Sequence, residues 1–167
     1  RRLMIDGIAA GHESYEAALA AHPTVPIPDD LRRTVADWFG EPGRAWLAAL
    51  PATVAGLAER WDLRLELTPY PGGSHALVLP AIGADGRPAV LKVPFLDDEN
   101  RTEAHALRAY DGDGAVRLYA HDPETGALLL ERAEPGSALV DEPDRDAALD
   151  ELFTLLRRLR RPATGDF

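Results

Sequence analysis

The sequence predicts an α+β fold: leading helices, then a five-stranded antiparallel sheet with one helix inserted ahead of its last two strands. Three observations predict it. Apolar residues recur at helical spacing from Leu31 to Trp61, and at Leu63 the period changes to two. Glycine turns, Pro71-Gly72-Gly73 and Gly83-Ala84-Asp85-Gly86, then punctuate the alternating stretch. Between the third and fourth strands, Glu103, Ala104, Leu107 and Tyr110 return to helical spacing, and Gly112 stops them.

Residues 1–28 read as an N-terminal extension. Arg1-Arg2-Leu3-Met4-Ile5 has two basic residues but no apolar stretch behind them, so no signal peptide is expected. Ser14 to Ala21 suits a short helix without large apolar residues, and Pro23-Thr24-Val25-Pro26-Ile27-Pro28 reads as an extended linker. A first residue other than Met is expected of a processed chain or a piece of a longer one.

Residues 29–61 form a helical segment. Asp29-Asp30 caps it with negative charge, Leu31, Val35, Trp38 and Phe39 follow, and Gly40 ends the first helix. A second run puts Trp46, Leu47, Leu50, Val54, Leu57, Ala58 and Trp61 on one face, with Pro51 in a first turn or at a kink.

The sheet unit spans residues 62–137. Its strands are Leu63 to Thr68, Ala76 to Leu79, Pro88 to Val93, Ala115 to Tyr119 and Ala127 to Leu130, the last two joined by Pro123-Glu124-Thr125-Gly126. Residues 138–167 leave the sheet and enter an amphipathic helix carrying Leu149, Leu152, Phe153, Leu156 and Leu159, with basic residues at its end. The acidic run Asp141 to Asp146 is expected to cap that helix, and its other reading is an attractor for a polycation.

Composition narrows the function. Hydrophobic residues at 46% and charged ones at 28% suit a globular chain long enough to bury a core, expected in the cytoplasm. Cysteine is absent, which removes disulfides, thiolate nucleophiles and cysteine metal sites, and no apolar run is long enough to span a bilayer. A net charge of −10 argues against a nucleic-acid partner and suits a small cationic one, although acidity also simply keeps proteins soluble. The five histidines are scattered without metal-ligand spacing.

Two features carry chemistry. Gly72 and Gly73 between strands are by default a hairpin turn, but missing side chains also let backbone N–H groups approach phosphate oxygens, with Ser74 or His75 as further donors. Lys92 alternates with Leu91 and Val93 and shares its strand face with Val90. It is either an edge residue reaching water or a half-buried cation needing a carboxylate, for which Glu103 is placed one element further on. Strand, glycine turn, strand, lysine strand and glutamate helix, in that order, are the phosphate-holding half of a kinase-like site.

From Val25 to Pro162 the chain resembles the amino-terminal region of the aminoglycoside phosphotransferases, in the streptomycin 6-kinase and hydroxyurea phosphotransferase branch. The resemblance lies in Trp46 to Pro51, Leu57 to Trp61, Pro71-Gly72-Gly73, Val90 to Val93, Glu103 to Gly112, Gly114 to Leu118 and Leu128 to Gly136. The string from Glu103 to Leu118 is the more specific part, whereas the glycine turn and lysine strand are shared by kinase-like folds generally.

The resemblance implies a protein-kinase-like amino-terminal lobe and an ATP-dependent transfer of phosphate to an alcohol group of a small cationic or hydroxylated molecule. It implies that Lys92 holds the α- and β-phosphates, that Glu103 holds Lys92, and that Gly72, Gly73 and Ser74 lie over the phosphates. Glu131, Arg132 and Ala133 would form the hinge that meets adenine, where an ordinary strand end is the plain alternative.

The same resemblance calls for a His-Gly-Asp followed shortly by Asn, which the chain lacks. Its sole Asn, Asn100, precedes Glu103, Gly112-Asp113 sits in a turn, and Gly165-Asp166-Phe167 follows Thr164. No catalytic residue is therefore assigned, and the ligands of Mg²⁺ are expected in a second lobe that this chain lacks. Two readings stay open: part of an ATP-dependent phosphotransferase, or a non-catalytic nucleotide-binding or interaction module. The leucine-rich stripe is expected to be covered by a second copy through residues 147–160, or by Trp38 and Trp46 folding back over it.

Overall fold

The computed structural model describes residues 25–98 and 100–160. The expectations for Ser14 to Ala21, for the start of the proline-rich linker and for Gly165-Asp166-Phe167 lie outside those residues.

The elements run α1 (Asp29–Arg60), β1 (Arg64–Leu65), β2 (Ala76–Ile82), β3 (Pro88–Pro94), α2 (Glu103–Tyr110), β4 (Leu118–His121), β5 (Leu128–Glu131), a short 3₁₀ turn and α3 (Arg145–Leu159). The five strands form one antiparallel sheet in the order β1-β2-β3-β5-β4, which puts β3 at its centre. This is an α+β architecture consistent with a kinase amino-terminal lobe.

α1 is two helices joined at a kink, where Gly40 takes φ 58° and ψ −129°. Gly40 therefore ends the first helix as expected, and Pro42 falls in the opening turn of the second, where a missing N–H costs nothing. Pro51 instead sits inside the second helix, with no further break in the backbone angles. The cap differs too: Pro28 occupies it, and Asp29 and Asp30 lie in the first turn, where their charge still faces the positive helix end.

The sheet is covered on both faces. Leu31, Val35, Leu50, Val54 and Leu57 of α1 pack on Leu77, Leu79, Leu91 and Val93 of β2 and β3. Val25 and Ile27 join this core at 7% and 8% exposure, so this part of the proline-rich stretch is packed rather than a free linker. Each such side chain, fully buried, contributes roughly 1.5–3 kcal/mol. On the opposite face, Ala104 of α2 packs with Leu128, Leu130, Val90 and Leu107.

Two strands differ from their expected spans. β1 pairs regularly only at Arg64 and Leu65: Glu66 donates to the Pro80 carbonyl at 2.9 Å, but Pro80 has no N–H to return, and Tyr70 is the next residue to donate, to the Val78 carbonyl at 2.9 Å. β4 starts at Leu118 rather than Ala115, since Asp111, Gly112 and Gly114 all have positive φ and keep the chain turning.

α3 is capped by Asp144, whose carboxylate accepts from the N–H groups of Asp146 and Ala147 at 3.1 Å. This is the helix-capping role expected of the acidic run. The helix leans on the sheet unit only near its end. Tyr110 donates to the Leu159 carbonyl at 3.2 Å, and Arg158 donates twice to Asp113. Leu159 thus faces inward, out of the expected stripe, while Leu149, Leu152, Phe153 and Leu156 remain 37–54% exposed. Trp46 does not fold back over them; it meets Phe95, as does Phe39, whose ring stacks on Phe95 at 4.1 Å. No described helix is long and apolar enough to cross a membrane.

Asp122 ties the β4–β5 turn to the end of α1. Its carboxylate is 7% exposed, accepts from the Thr125 hydroxyl at 2.6 Å and faces Arg60 at 3.3 Å. Burial pushes this carboxyl up, but the Thr125 hydroxyl, the Arg60 charge and nearby backbone N–H groups outweigh it and hold it below its ordinary value. A carboxyl lowered by folding stabilises the fold above its unfolded pKa, and the contribution is lost as pH falls through the folded one. We therefore expect Asp122→Asn to cost about 1–3 kcal/mol at neutral pH. The deficit should shrink below about pH 4, as urea melts across pH would read.

Candidate functional site

β3 sets the position of Lys92. Ala89, Leu91 and Val93 are at most 2% exposed against α1, so the period of two turns Val90 and Lys92 to the α2 face. Lys92 pairs across the sheet with Val78 of β2 and Leu128 of β5. A central strand offers no edge to snorkel around, so of the two readings for this lysine the structure takes the half-buried cation. Its amine donates to both carboxylate oxygens of Glu103, at 2.6 and 2.8 Å, and the two side chains are 26% and 28% exposed. Glu103 is the first residue of α2, where its charge also complements the helix dipole.

The glycine turn faces this pair across a cavity of about 400 Å³, lined by Tyr70, Gly72, Gly73, His75, Val78 and Lys92 among others. Gly72 takes φ +88°, a conformation that other residues rarely adopt. A Cβ on Gly73 would lie 2.5 Å from the Ala76 carbonyl oxygen, so that position excludes any side chain while the chain folds back on itself. A bare, tightly turned backbone above one cation suits a polyphosphate chain better than an apolar ligand. ATP thus fits these residues through its phosphates.

The structure brings Gly72, Gly73, Ser74 and Lys92 to one cavity, with Glu103 behind the lysine. It does not bring Glu131, Arg132 and Ala133 to that cavity. Glu131 exchanges hydrogen bonds with Arg117, and Arg132 reaches Glu66 at 3.0 Å. The hydrogen bond to Glu66, with help from Tyr70, raises the Arg132 pKa further.

Asn100, set aside in the sequence for preceding Glu103, lines the cavity. It donates to the Phe95 carbonyl at 2.7 Å and exchanges hydrogen bonds with Asp97. The Asp97-to-Asn100 spacing, a reciprocal turn of two short polar side chains, was the legible signal. Among the described residues no three His, Asp or Glu side chains gather to hold a metal ion. A second cavity of about 490 Å³ lies beside Arg60, Asp122 and Thr125; its one cation, Arg60, pairs with Asp122, and Glu59 and Glu124 add negative charge to its lining.

The sequence model of the aminoglycoside/hydroxyurea antibiotic resistance kinases matches residues 60–167. The chain belongs to this family. It is 42% identical over 135 residues to streptomycin 6-kinase of Streptomyces glaucescens, covering 81% of this chain and 44% of that protein. It is similarly related to streptomycin 6-kinase of Streptomyces griseus, 40% identical over the same shares. Hydroxyurea phosphotransferase of Kitasatospora aureofaciens is 44% identical over 137 residues, 81% of this chain and 40% of that protein. The chain therefore spans less than half the length of these relatives. No solved structure matches it.

The crowding at the turn gives a direct expectation. Gly73→Ala should cost about 1–3 kcal/mol, because the neighbour it meets is backbone and cannot rotate away. Exposed Ser74→Ala should stay within about 0.5 kcal/mol. Chemical denaturation of the two variants compares them.

Proposed function

We propose that this chain is the nucleotide-holding part of an ATP-dependent phosphotransferase that phosphorylates an alcohol group of a small molecule such as an aminoglycoside. The observation that carries the proposal is the Lys92–Glu103 pair, closed to 2.6 Å beneath a glycine turn that borders an open cavity. In this reading Lys92 donates to phosphate oxygens and Glu103 holds the amine in place. The N–H groups of Gly72 and Gly73 and the hydroxyl of Ser74 add donors from above.

When bound, ATP supplies the phosphoryl group; the chain's own residues orient and partly neutralise it. Glu131 to Ala133 are proposed as the adenine-facing hinge, which their place at the end of β5 supports. The acceptor is proposed to be cationic or hydroxylated, supported by the names of the relatives and by the net charge of −10. A second reading, a nucleotide-binding or interaction module without catalysis, is favoured by the exposed stripe on α3. Self-association through residues 147–160 belongs with that reading.

Titration of the 167-residue chain with ATP tests the proposal. Lys92→Ala should weaken binding about 10- to 100-fold, the worth of one charge-assisted hydrogen bond. Glu103→Gln should weaken it less, since the amine stays but loses its anchor. Equal affinity in wild type and Lys92→Ala contradicts the proposal. For the stripe, light scattering should show association at micromolar concentration that Phe153→Asp abolishes; a wild-type monomer there contradicts self-association.

A further inference from the structure

α2 carries Glu103 on a light footing. It is eight residues long, Ala104 is its one buried residue, and Thr102 at its N-cap makes no side-chain capping bond. A helix this short is marginal by itself. Packing through Ala104 and the partly buried Leu107 decides which face meets the sheet. A slide along that face is left to the connection that leads into the helix. Such a slide matters, because moving the carboxylate by about 1 Å already takes a short hydrogen bond out of range.

One residue binds that connection. The Asn100 carboxamide donates to the Phe95 carbonyl at 2.7 Å, and its oxygen accepts from the Asp97 N–H at 3.2 Å. The Asn100 N–H donates to the Asp97 carboxylate at 3.1 Å, and the Asn100 carbonyl accepts from the Glu103 N–H, also at 3.1 Å. Phe95 lies three residues after Lys92, just past β3, and Glu103 lies three residues after Asn100. Asn100 therefore ties the end of the lysine strand to the start of the glutamate helix. The anchor is firm, since the Phe95 N–H donates to the His75 carbonyl at 2.7 Å and its ring stacks on Phe39. The task needs a carboxamide. A carboxylate of the same shape has no N–H to give Phe95, and an aliphatic side chain has neither group.

Resting on the phosphate-site reading above, we infer that Asn100 is a further positioning residue of the site. It acts through Glu103, holding that carboxylate where it fixes the Lys92 amine for a nucleoside di- or triphosphate. Asn100 lines the same cavity as Lys92, yet its effect runs through the ion pair and requires no bond to the phosphates.

The test is a cycle of ATP affinities on the 167-residue chain: wild type, Asn100→Ala, Glu103→Ala and the double variant, each first shown to be folded by circular dichroism. Asn100→Ala should weaken binding about three- to tenfold when Glu103 is present, and less than about twofold in the Glu103→Ala background. Equal weakening in both backgrounds, or none in either, overturns the inference, because a residue that only supports the fold or touches the ligand acts regardless of position 103. Affinity unchanged by Lys92→Ala overturns the phosphate-site reading instead, so the two failures are distinct.

If Asn100→Ala does not fold, Asn100 itself is the probe. The sequence has no Gln and one Asn, so Asn100 gives the only side-chain carboxamide signal in a ¹⁵N spectrum. Coupling between two groups is reciprocal. Hydrogen exchange of that carboxamide should therefore be about threefold or more faster in Glu103→Ala than in wild type, without any nucleotide present. An unchanged exchange rate overturns the inference.

Discussion

The alternation of β3 is the constraint on which both the core and the site depend. Ala89, Leu91 and Val93 must face α1, where they are almost wholly buried, and this leaves Lys92 no option but the other face. A one-residue slip would bury the amine against Leu77 and Leu79 and expose three apolar side chains. Burying an unpaired ammonium costs far more than any local gain could offset. The register is thus fixed by the core, and the placement of the one lysine follows from it. Glu103 then completes the arrangement from α2, which packs through Ala104 on that same face.

The glycine turn is positioned from both sides of the sheet. From below, Tyr70 and Phe95 hydrogen-bond to Val78 and His75, so the turn is tied at each end. From the α1 side, Phe39 stacks on Phe95 and also meets His75. The helical segment is therefore continuous with the cavity wall rather than an appendage to it.

Much of this was legible in the sequence because it rests on period and turn chemistry. The change of period at Leu63, the two glycine turns and the alternation around Lys92 all correspond to observed elements. The order of the elements offered Glu103 as the partner of Lys92, and the place of β3 at the centre of the sheet decides between the two readings of that lysine. What was not legible depends on specific hydrogen-bond partners. The positive φ of Asp111, Gly112 and Gly114 keeps the chain turning, and the Arg117 N–H goes to the Glu131 side chain, so β4 begins three residues later than its apolar pattern suggests. Pro80 of β2, opposite Glu66, has no N–H to return, so regular pairing of β1 stops although the burial alternation continues through Leu67. Leu159 separates from the stripe because Tyr110 and Arg158 pin the end of α3 to the turn at Asp113, a contact between distant segments. Asp97 and Asn100, by contrast, make a local reciprocal turn whose spacing was legible.

We propose that the cavity beneath the glycine turn, and not the one beside Asp122, receives phosphate. Amide spectra of the ¹⁵N-labelled chain during an ATP titration test it most directly. Saturating shifts are expected at Gly72, Gly73, Ser74 and Lys92, with Arg60 and Thr125 unmoved. Shifts confined to Arg60, Asp122 and Thr125, with a silent glycine turn, would contradict it.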